Sequence, residues 1–352
     1  MAGLFNIIGP AIRLMDAEKA HGAAIAALKT GLVPAPAKFT DDSLRVEVCG
    51  LSFPNPVGLA PGFDKNGEVP DAMLGQGFGF VEVGTVTPLP QEGNPKPRLF
   101  RLPQDKAVIN RMGFNNHGAQ AVLRRLKVRA HNGIVGVNIG ANKTSEDREG
   151  DYVKGIEAFH QIADYLTVNI SSPNTPGLRG MQSRTELTHL LERLSEARQR
   201  LNCSKPVFLK IAPDLIDDEL SDICEVCLSG AVDGLIISNT TLSRDGLRSS
   251  ASNETGGLSG EPLFELSTRM LAKASKMTAG KLPLIGVGGI STAEQAFKKF
   301  QAGACLVQLY SAMVYQGPGL ADEISRGLVK LIDKHNFNTI ENVIASNVDS
   351  WL

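Results

Sequence analysis

Tyr165-Leu166-Thr167-Val168-Asn169-Ile170-Ser171-Ser172-Pro173-Asn174-Thr175-Pro176-Gly177-Leu178-Arg179 sets an apolar run directly before a loop of amides, hydroxyls, two prolines and a glycine. The run reads as a buried strand, and the polar residues begin where it ends. Prolines remove backbone freedom, while hydroxyls and amides offer both donors and acceptors. Such a loop suits a tip held still to present a nucleophile or base to a polar, planar substrate. Ser, Asn and Pro are also ordinary turn residues, so the loop alone fits a plain turn leaving a strand equally well.

The same unit recurs outward from this stretch. Runs rich in Val, Ile and Leu at 56–60, 80–84, 134–139, 165–170, 207–211, 234–238, 284–287 and 306–309 end in polar or glycine-rich tips and lead into helical patterns. That alternation marks parallel βα units, and eight of them predict an α/β chain closed as a (β/α)8 TIM barrel. In such a barrel function gathers at the carboxyl ends of the strands. Here those ends deliver Asp64 and Lys65, Thr85, Asn138, Asn169, Lys210, Ser238 with Asn239 and Thr240, Gly288 and Gly289, and Tyr310 with Ser311. A purely structural barrel has no need of polar side chains at nearly every tip.

Composition narrows the function. With 352 residues, 42% hydrophobic content and a net charge of −1, the chain can fill one barrel-sized core. Near-neutral charge, no basic block and only 5% aromatics argue against a nucleic-acid partner. Five irregularly spaced cysteines do not describe a disulfide framework and fit a reducing compartment. Cys224-x-x-Cys227 has no second pair and shares a helical stripe with Leu220, Ile223 and Leu228, so it reads as core rather than as a metal or redox site. The six histidines show no ligand spacing, and no metal is expected. Gly286-Val287-Gly288-Gly289 lacks the third glycine of a dinucleotide fingerprint, which disfavours a nicotinamide fold. A late-strand glycine loop before the capped helix start Ser291-Thr292-Ala293-Glu294 instead suits a phosphate cradle.

Two segments lie outside the barrel rhythm. Residues 1–40 form a two-helix extension ahead of a catalytic unit spanning 41–352. Leu4, Phe5, Ile7, Ile8, Ile12, Leu14 and Met15 pattern a first helix; Asp16 caps a second through Ala20, Ala24, Ala27 and Leu28, stopped by Gly31 and Pro34. The uncharged run before Arg13 is 12 residues, short of the roughly 20 that a spanning helix needs. It also lacks the basic opening of a signal or transit peptide. Such helices either cap the domain or lie on a membrane surface, and pattern alone favours the cap. After the second strand, 97–102 and 107–112 read as an inserted β-hairpin, followed by a basic helix from 117 to about 129. Arg124, Arg125, Lys127 and Arg129 are assigned to its solvated face.

The loop 169–179 resembles the catalytic loop of the dihydroorotate dehydrogenases of the quinone-linked, membrane-associated class, and the similarity runs from about Ala17 to about Gly319. The resemblance implies a TIM barrel that binds flavin mononucleotide noncovalently and oxidises dihydroorotate to orotate in pyrimidine synthesis. Ser172 would be the base that takes the C5 proton as hydride leaves C6 for the flavin, with Ser171 the rival for that role. The soluble class carries a cysteine in this loop, and this chain has none there. Flavin contacts fall on Ala60, Pro61, Gly62, Phe63, Asp64, Lys65, Thr85, Asn138, Asn169, Lys210 and Ser238, with Gly260, Gly289, Tyr310 and Ser311 at the phosphate. Ser238 departs from the expected threonine but keeps a hydroxyl. Lys210 would stabilise charge on the reduced ring. Substrate contacts fall on Lys65, Asn110, Arg111, Met112, Gly113, Phe114, Asn169, Asn174, Asn239 and Thr240, a cation and amides for an anionic, amide-rich ring. His21, Arg101 and Tyr310 are the candidate quinone contacts. The class also implies that residues 1–40 rest on the membrane and admit the quinone. The whole is expected as a monomer, peripheral on the cytoplasmic side of a bacterial inner membrane. Two alternatives remain at this point: the soluble class, reducing fumarate or nicotinamide, and a barrel that binds a phosphorylated ligand without redox chemistry.

Overall fold

The computed structural model describes residues 2–352, with the side chains of residues 2–4 and 6–8 left out. The expected contributions of Leu4, Ile7 and Ile8 therefore fall outside the described residues. Eight parallel strands close into a barrel in chain order: Val57–Leu59, Phe80–Val86, Ile134–Ile139, Tyr165–Asn169, Val207–Ile211, Gly234–Ile237, Leu284–Val287 and Leu306–Leu309. The last pairs back on the first, Val307 beside Val57. Every one of the eight expected runs is a barrel strand. Their near-continuous apolar sequences follow from burial on both faces, with side chains inside the barrel and helices outside.

The helices face the strands through stripes such as Leu187, Leu190, Leu191 and Leu194 on Arg184–Arg200. Cys224 and Cys227 are buried on Asp217–Leu228 as expected, and burial pushes the Cys224 thiol up to about 11. A thiol so disfavoured as thiolate is packing, not chemistry. At the amino end of the barrel, a hairpin of Val46–Val48 and Leu51–Phe53 closes the floor. Phe53, Phe80, Tyr165 and Phe208 stack edge to face there, with centroid spacings of 5.2, 6.2 and 5.5 Å. Above them sits Glu82, fully buried, accepting from Asn138 Nδ2 (2.7 Å), Tyr165 Oη (3.0 Å) and Gln308 Nε2 (2.6 Å). Three donors from three other strands satisfy a carboxylate that would otherwise be costly to bury.

The insertion is larger than a hairpin. Leu99–Leu102 and Ala107–Asn110 pair as expected, and Gly257–Gly260 adds a third antiparallel strand on Ala107–Asn110. Leu102, Ala107, Ile109 and Leu258 form the small core of this sheet. The partner strand comes from 147 residues further on (110 to 257), beyond the reach of any local pattern. The basic helix is Ala119–Lys127, and one assignment to its solvated face fails. Arg129 lies past the helix end with its side chain only 6% exposed, donating to Asp71 Oδ1 (2.8 Å) and Gly133 O (2.9 Å). Once the helix stops, the chain turns back to the barrel and takes that guanidinium inward.

The N-terminal helices are Ala2–Leu14 and Ala17–Lys29, with the Asp16 side chain accepting from Lys19 N–H at 2.9 Å. They are joined to the body by charge as well as by apolar contact. Arg98 donates to both carboxylate oxygens of Glu18, at 3.1 and 2.7 Å. Arg101 donates to the carbonyls of Arg13 and Met15, at 2.7 and 2.8 Å, which ties down the link between the helices. No helix among the described residues is long and apolar enough to cross a membrane.

Candidate active site

The carboxyl ends of the strands and the two N-terminal helices enclose a cavity of about 520 Å³. A narrower compartment of about 110 Å³ opens from it and shares Pro61, Lys210, Ser259, Tyr310 and Ser311 as walls. The two differ sharply in chemistry.

The floor of the larger cavity is polar and held in place by a buried network. Thr85 Oγ1 donates to Asn138 Oδ1 at 2.5 Å, and Asn169 Nδ2 donates to both Thr85 Oγ1 and Asn138 Oδ1 at 3.1 Å. Asn138 continues down to Glu82, so the floor is bonded to the barrel centre. Asn239 Nδ2 reaches Asn169 Oδ1 at 3.2 Å and Ser171 Oγ at 2.9 Å. Each amide is committed in a known orientation, which fixes the few donors and acceptors left to face the cavity.

The two serines of the quoted loop are therefore unlike. Ser171 is fully buried, accepts from Asn239 and donates to Asn169 Oδ1 at 3.0 Å; its hydroxyl is used up in the network. Ser172 lines the cavity and accepts from Asn174 N–H at 3.2 Å, so its own hydrogen can turn into the cavity. The loop is clamped by Arg179, which donates to Ser171 O (3.1 Å), Thr240 O (2.9 Å) and Asp214 Oδ2 (2.7 Å). Arg179 stands inside the quoted stretch, yet nothing local revealed that it fastens the loop to the next two strand tips.

Lys65, Asn110, Met112, Gly113, Phe114, Asn169, Asn174, Asn239 and Thr240 all line the same cavity. Asn174 Nδ2 donates to Asn110 Oδ1 at 3.2 Å, joining the loop to the inserted sheet. Lys65 Nζ donates to Gly62 O at 2.7 Å. Burial pushes the Lys65 ammonium down to about 8, with Glu18 and Asp64 opposing and Arg98 assisting that fall.

Three expected contacts do not reach the cavity with their side chains. Arg111 turns away to Glu254 Oε2 (2.7 Å) and lies over the Phe100 ring, because as the residue after the strand Ala107–Asn110 it sits on the opposite face of the pleat from Asn110. Asp64 spends its carboxylate on its own loop, accepting from Glu68 N–H (2.9 Å) and Val69 N–H (2.8 Å). Asn138 is fully buried beneath Thr85 and Asn169 and acts through them.

The narrower compartment is lined by Ala60, Ser238, Gly260, Gly288, Gly289, Ser291, Tyr310 and Ser311, with Lys210 and Gln308 at its inner end. Gly288 and Gly289 take φ of 113° and 75°, and a Cβ on Gly289 would stand 2.4 Å from Phe264 Cα. Only glycine lets the backbone run so close, leaving peptide N–H groups at the surface. The following helix, Ala293–Gln301, is capped by Thr292 accepting from Gln295 N–H. Lys210 is buried, and loss of hydration lowers its ammonium from the usual range with Glu82 opposing. Of its walls, Gln308 Oε1 and Thr240 Oγ1 are buried and have no hydrogen-bond partner among the described residues. A glycine cradle, a desolvated cation and orphaned polar atoms together fit an anionic, polar-edged planar group such as flavin mononucleotide.

The opposite half of the cavity is apolar. Ala20, Ala24 and Leu28 from the second helix face Leu99, Val108, Met313 and Val314, with Phe5 and Ile12 of the first helix alongside. Small residues on the helix leave the space open. Where this half meets the floor, His21 packs edge-on to Phe63 (5.3 Å), and Tyr310 Oη lies 3.4 Å from His21 Nδ1. Burial, then the nearby Lys65 charge, pushes His21 down to about 3, so it is neutral near pH 7. Arg101 lines this half too, while holding Arg13 and Met15. Sequence reading missed Glu18 and Arg98, whose pairing sets the position of the second helix; an Arg between a proline and a strand carries no local sign of its partner.

The family model for dihydroorotate dehydrogenase matches residues 43–332. A dihydroorotate dehydrogenase (quinone) of Agrobacterium fabrum is 56% identical, covering 100% of this chain and 98% of its own length. That of Brucella melitensis biotype 2 is also 56% identical, with the same coverage. A crystal structure of Eimeria tenella DHODH in complex with ferulenol superposes with a TM-score of 0.91 at 40% identity, covering 95% of this chain and 96% of that one. The quoted loop, the barrel and the full-length relatives agree: the chain belongs to the dihydroorotate dehydrogenase family, in its quinone-dependent class.

Proposed function

We propose that the protein oxidises dihydroorotate to orotate with noncovalent flavin mononucleotide, passes the electrons to a membrane quinone, and so serves pyrimidine synthesis. The observation that carries this reading is the contrast within one loop: Ser171 is locked in the amide network, whereas Ser172 has a free hydrogen in a cavity that also holds Lys65, Asn174 and Lys210.

Bound flavin would supply the hydride acceptor, held by the glycine cradle of 260 and 288–289, Ser311 and Lys210. The protein's own groups do the rest. Lys65 offers the cation for the substrate carboxylate, and Asn110, Asn174, Asn239 and Thr240 offer amide and hydroxyl partners that fix the ring face. Ser172 takes the C5 proton. A serine hydroxyl is a weak base, so it acts as a relay, its own proton passing out to solvent water as the C5 proton arrives, while the adjoining substrate carbonyl draws off the developing charge. Asn174 N–H, donating to Ser172 Oγ, keeps the oxygen aimed.

In this reading residues 1–40 act as one unit that rests on the membrane surface as a peripheral, monomeric enzyme on the cytoplasmic face of the inner membrane. Support comes from the apolar half of the cavity between the helices and from Leu14, 90% exposed at the turn between them. Arg101, neutral His21 and Tyr310 would meet the quinone head group. Ser172→Ala tests the chemistry: flavin content should be unchanged, while flavin bleaching by dihydroorotate in a stopped-flow instrument should slow by at least about a hundredfold, the scale of a lost general base. Bleaching at a near-normal rate would move the base elsewhere.

A further inference from the structure

Behind the glycine cradle lies a buried lysine that the proposed reaction does not use. Lys299, on Ala293–Gln301, is fully buried, and its Nζ donates to Ser267 Oγ at 2.7 Å. The one hydrogen of Ser267 Oγ is shared among Leu263 O (2.8 Å), Phe264 O (3.1 Å) and Gly288 O (3.1 Å), placing the amine one hydroxyl behind the Gly288–Gly289 peptide. The Phe264 ring sits 5.2 Å from the same Nζ, and a Cβ on Gly288 would stand 2.8 Å from Ser267 Oγ. No carboxylate is bonded to this lysine among the described residues; burial pushes its ammonium well below the usual range, with only Glu265 opposing from a distance.

Burying an unpaired ammonium is expensive, and a methionine would fill the same space without that penalty. An anion on the far side of the Gly288–Gly289 peptide would remove the anomaly. We propose that Lys299 is a positioning residue for the cofactor phosphate: with the anion in place it would carry a positive charge under the cradle and, through Ser267, polarise the peptide between Gly288 and Gly289, both of which line the compartment. A carbonyl engaged from behind makes the N–H of its own peptide unit a better donor in front. The group acts at second hand, touching neither phosphate nor ring, so it differs from Lys210, which lines the cavity itself.

The inference rests on flavin mononucleotide as the cofactor, and the test separates the two. Full-length apoprotein is titrated with flavin mononucleotide and with riboflavin, which has the same ring and no phosphate, following flavin fluorescence. In the wild type, tighter binding of the phosphorylated flavin is expected; equal or absent binding of both would sink the cofactor reading itself. Lys299→Met, and Lys299→Gln, which keeps an N–H for Ser267, should each weaken flavin mononucleotide at least tenfold and leave riboflavin within twofold, with Lys299→Arg partly restoring the difference. An unchanged ratio of the two affinities, or an equal loss for both flavins, would make Lys299 a packing residue and overturn the proposal. Lys299→Gln keeps the test readable where Lys299→Met fails to fold.

Discussion

Replacing Arg98 by Met probes how the roof of the cavity is held. The Arg98 side chain is 7% exposed and makes four hydrogen bonds: two to Glu18, and one each to the carbonyls of Glu92 (2.6 Å) and Asn94 (2.8 Å). Breaking a buried ion pair from one side costs about 3–5 kcal/mol, because the partner is stranded. Glu18 is 19% exposed and keeps Lys96 at 3.4 Å, so part of its hydration returns and the low end, about 3 kcal/mol, is expected. That loss falls on the docking of Ala17–Lys29 rather than on the barrel. Amide exchange in that helix should therefore speed up roughly a hundredfold, with the barrel strands unchanged. Arg98 hydrogen bonding holds the Glu18 carboxyl below its usual range, so the contribution is present above the unfolded value of 4.5 and fades as pH falls through the lowered one. In Arg98→Met this acid-side fading should shrink to what Lys96 alone sustains. Exchange in the helix within threefold of wild type would refute the claim that this pair fixes the roof.

Three further outcomes follow from the same geometry. Lys65 titrates near 8 when the site is empty, so kcat/KM for anionic dihydroorotate should fall about tenfold per pH unit above that value; a flat profile from pH 7 to 9.5 would remove Lys65 as the carboxylate's cation. Gly289→Ala forces a Cβ to within 2.4 Å of Phe264 Cα at φ 75°, and the purified variant should be largely colourless, whereas a full flavin complement would show that the cradle yields. Removing residues 1–35 should leave flavin reduction by dihydroorotate intact while quinone reduction collapses; unchanged quinone kinetics in an acceptor panel would sink the proposed role of the helices.

The barrel was legible because each strand carries its own evidence: a run of Val, Ile and Leu bounded by a polar tip, repeated eight times, leaves little freedom in how the runs are joined. The cavity residues were legible for a related reason, since strand tips are forced to one end of the barrel by topology. What stayed hidden depends on partners far along the chain. Glu82 reads as a lone acid in an apolar strand until Asn138, Tyr165 and Gln308 converge on it. Gly257–Gly260 became a strand only by finding Ala107–Asn110. Arg111 and Asn110 are neighbours in sequence and opposite in direction, and the pleat that separates them was not assigned residue by residue. Arg129 failed for the converse reason, because its neighbours are basic and helical while its partner, Asp71, is not local.

The N-terminal helices supply walls of the cavity as well as covering the barrel mouth. Its floor carries Lys65, Lys210 and committed amides suited to an anion, while the helix side is lined by Ala20, Ala24, Leu28, Leu99 and Val108. In the proposed reading an anionic ring would be poorly solvated at the apolar end and a quinone would leave the floor amides unpaired, so each half would turn away the ligand of the other. Neutral His21 sits at the boundary against Phe63 and Tyr310 without adding a charge that would draw the anion upward. Without the helices, Phe63 and Tyr310 would face water and the apolar half would lose a wall, though the floor would stand on bonds internal to the barrel. The helix pair is thus expected to govern the second substrate and not the first, because the loop beside Ser172 keeps its own ties when the roof loosens: Asn94 Nδ2 donates to Arg111 O at 3.0 Å and to Asn174 O at 3.2 Å, and neither partner lies on a helix of the roof.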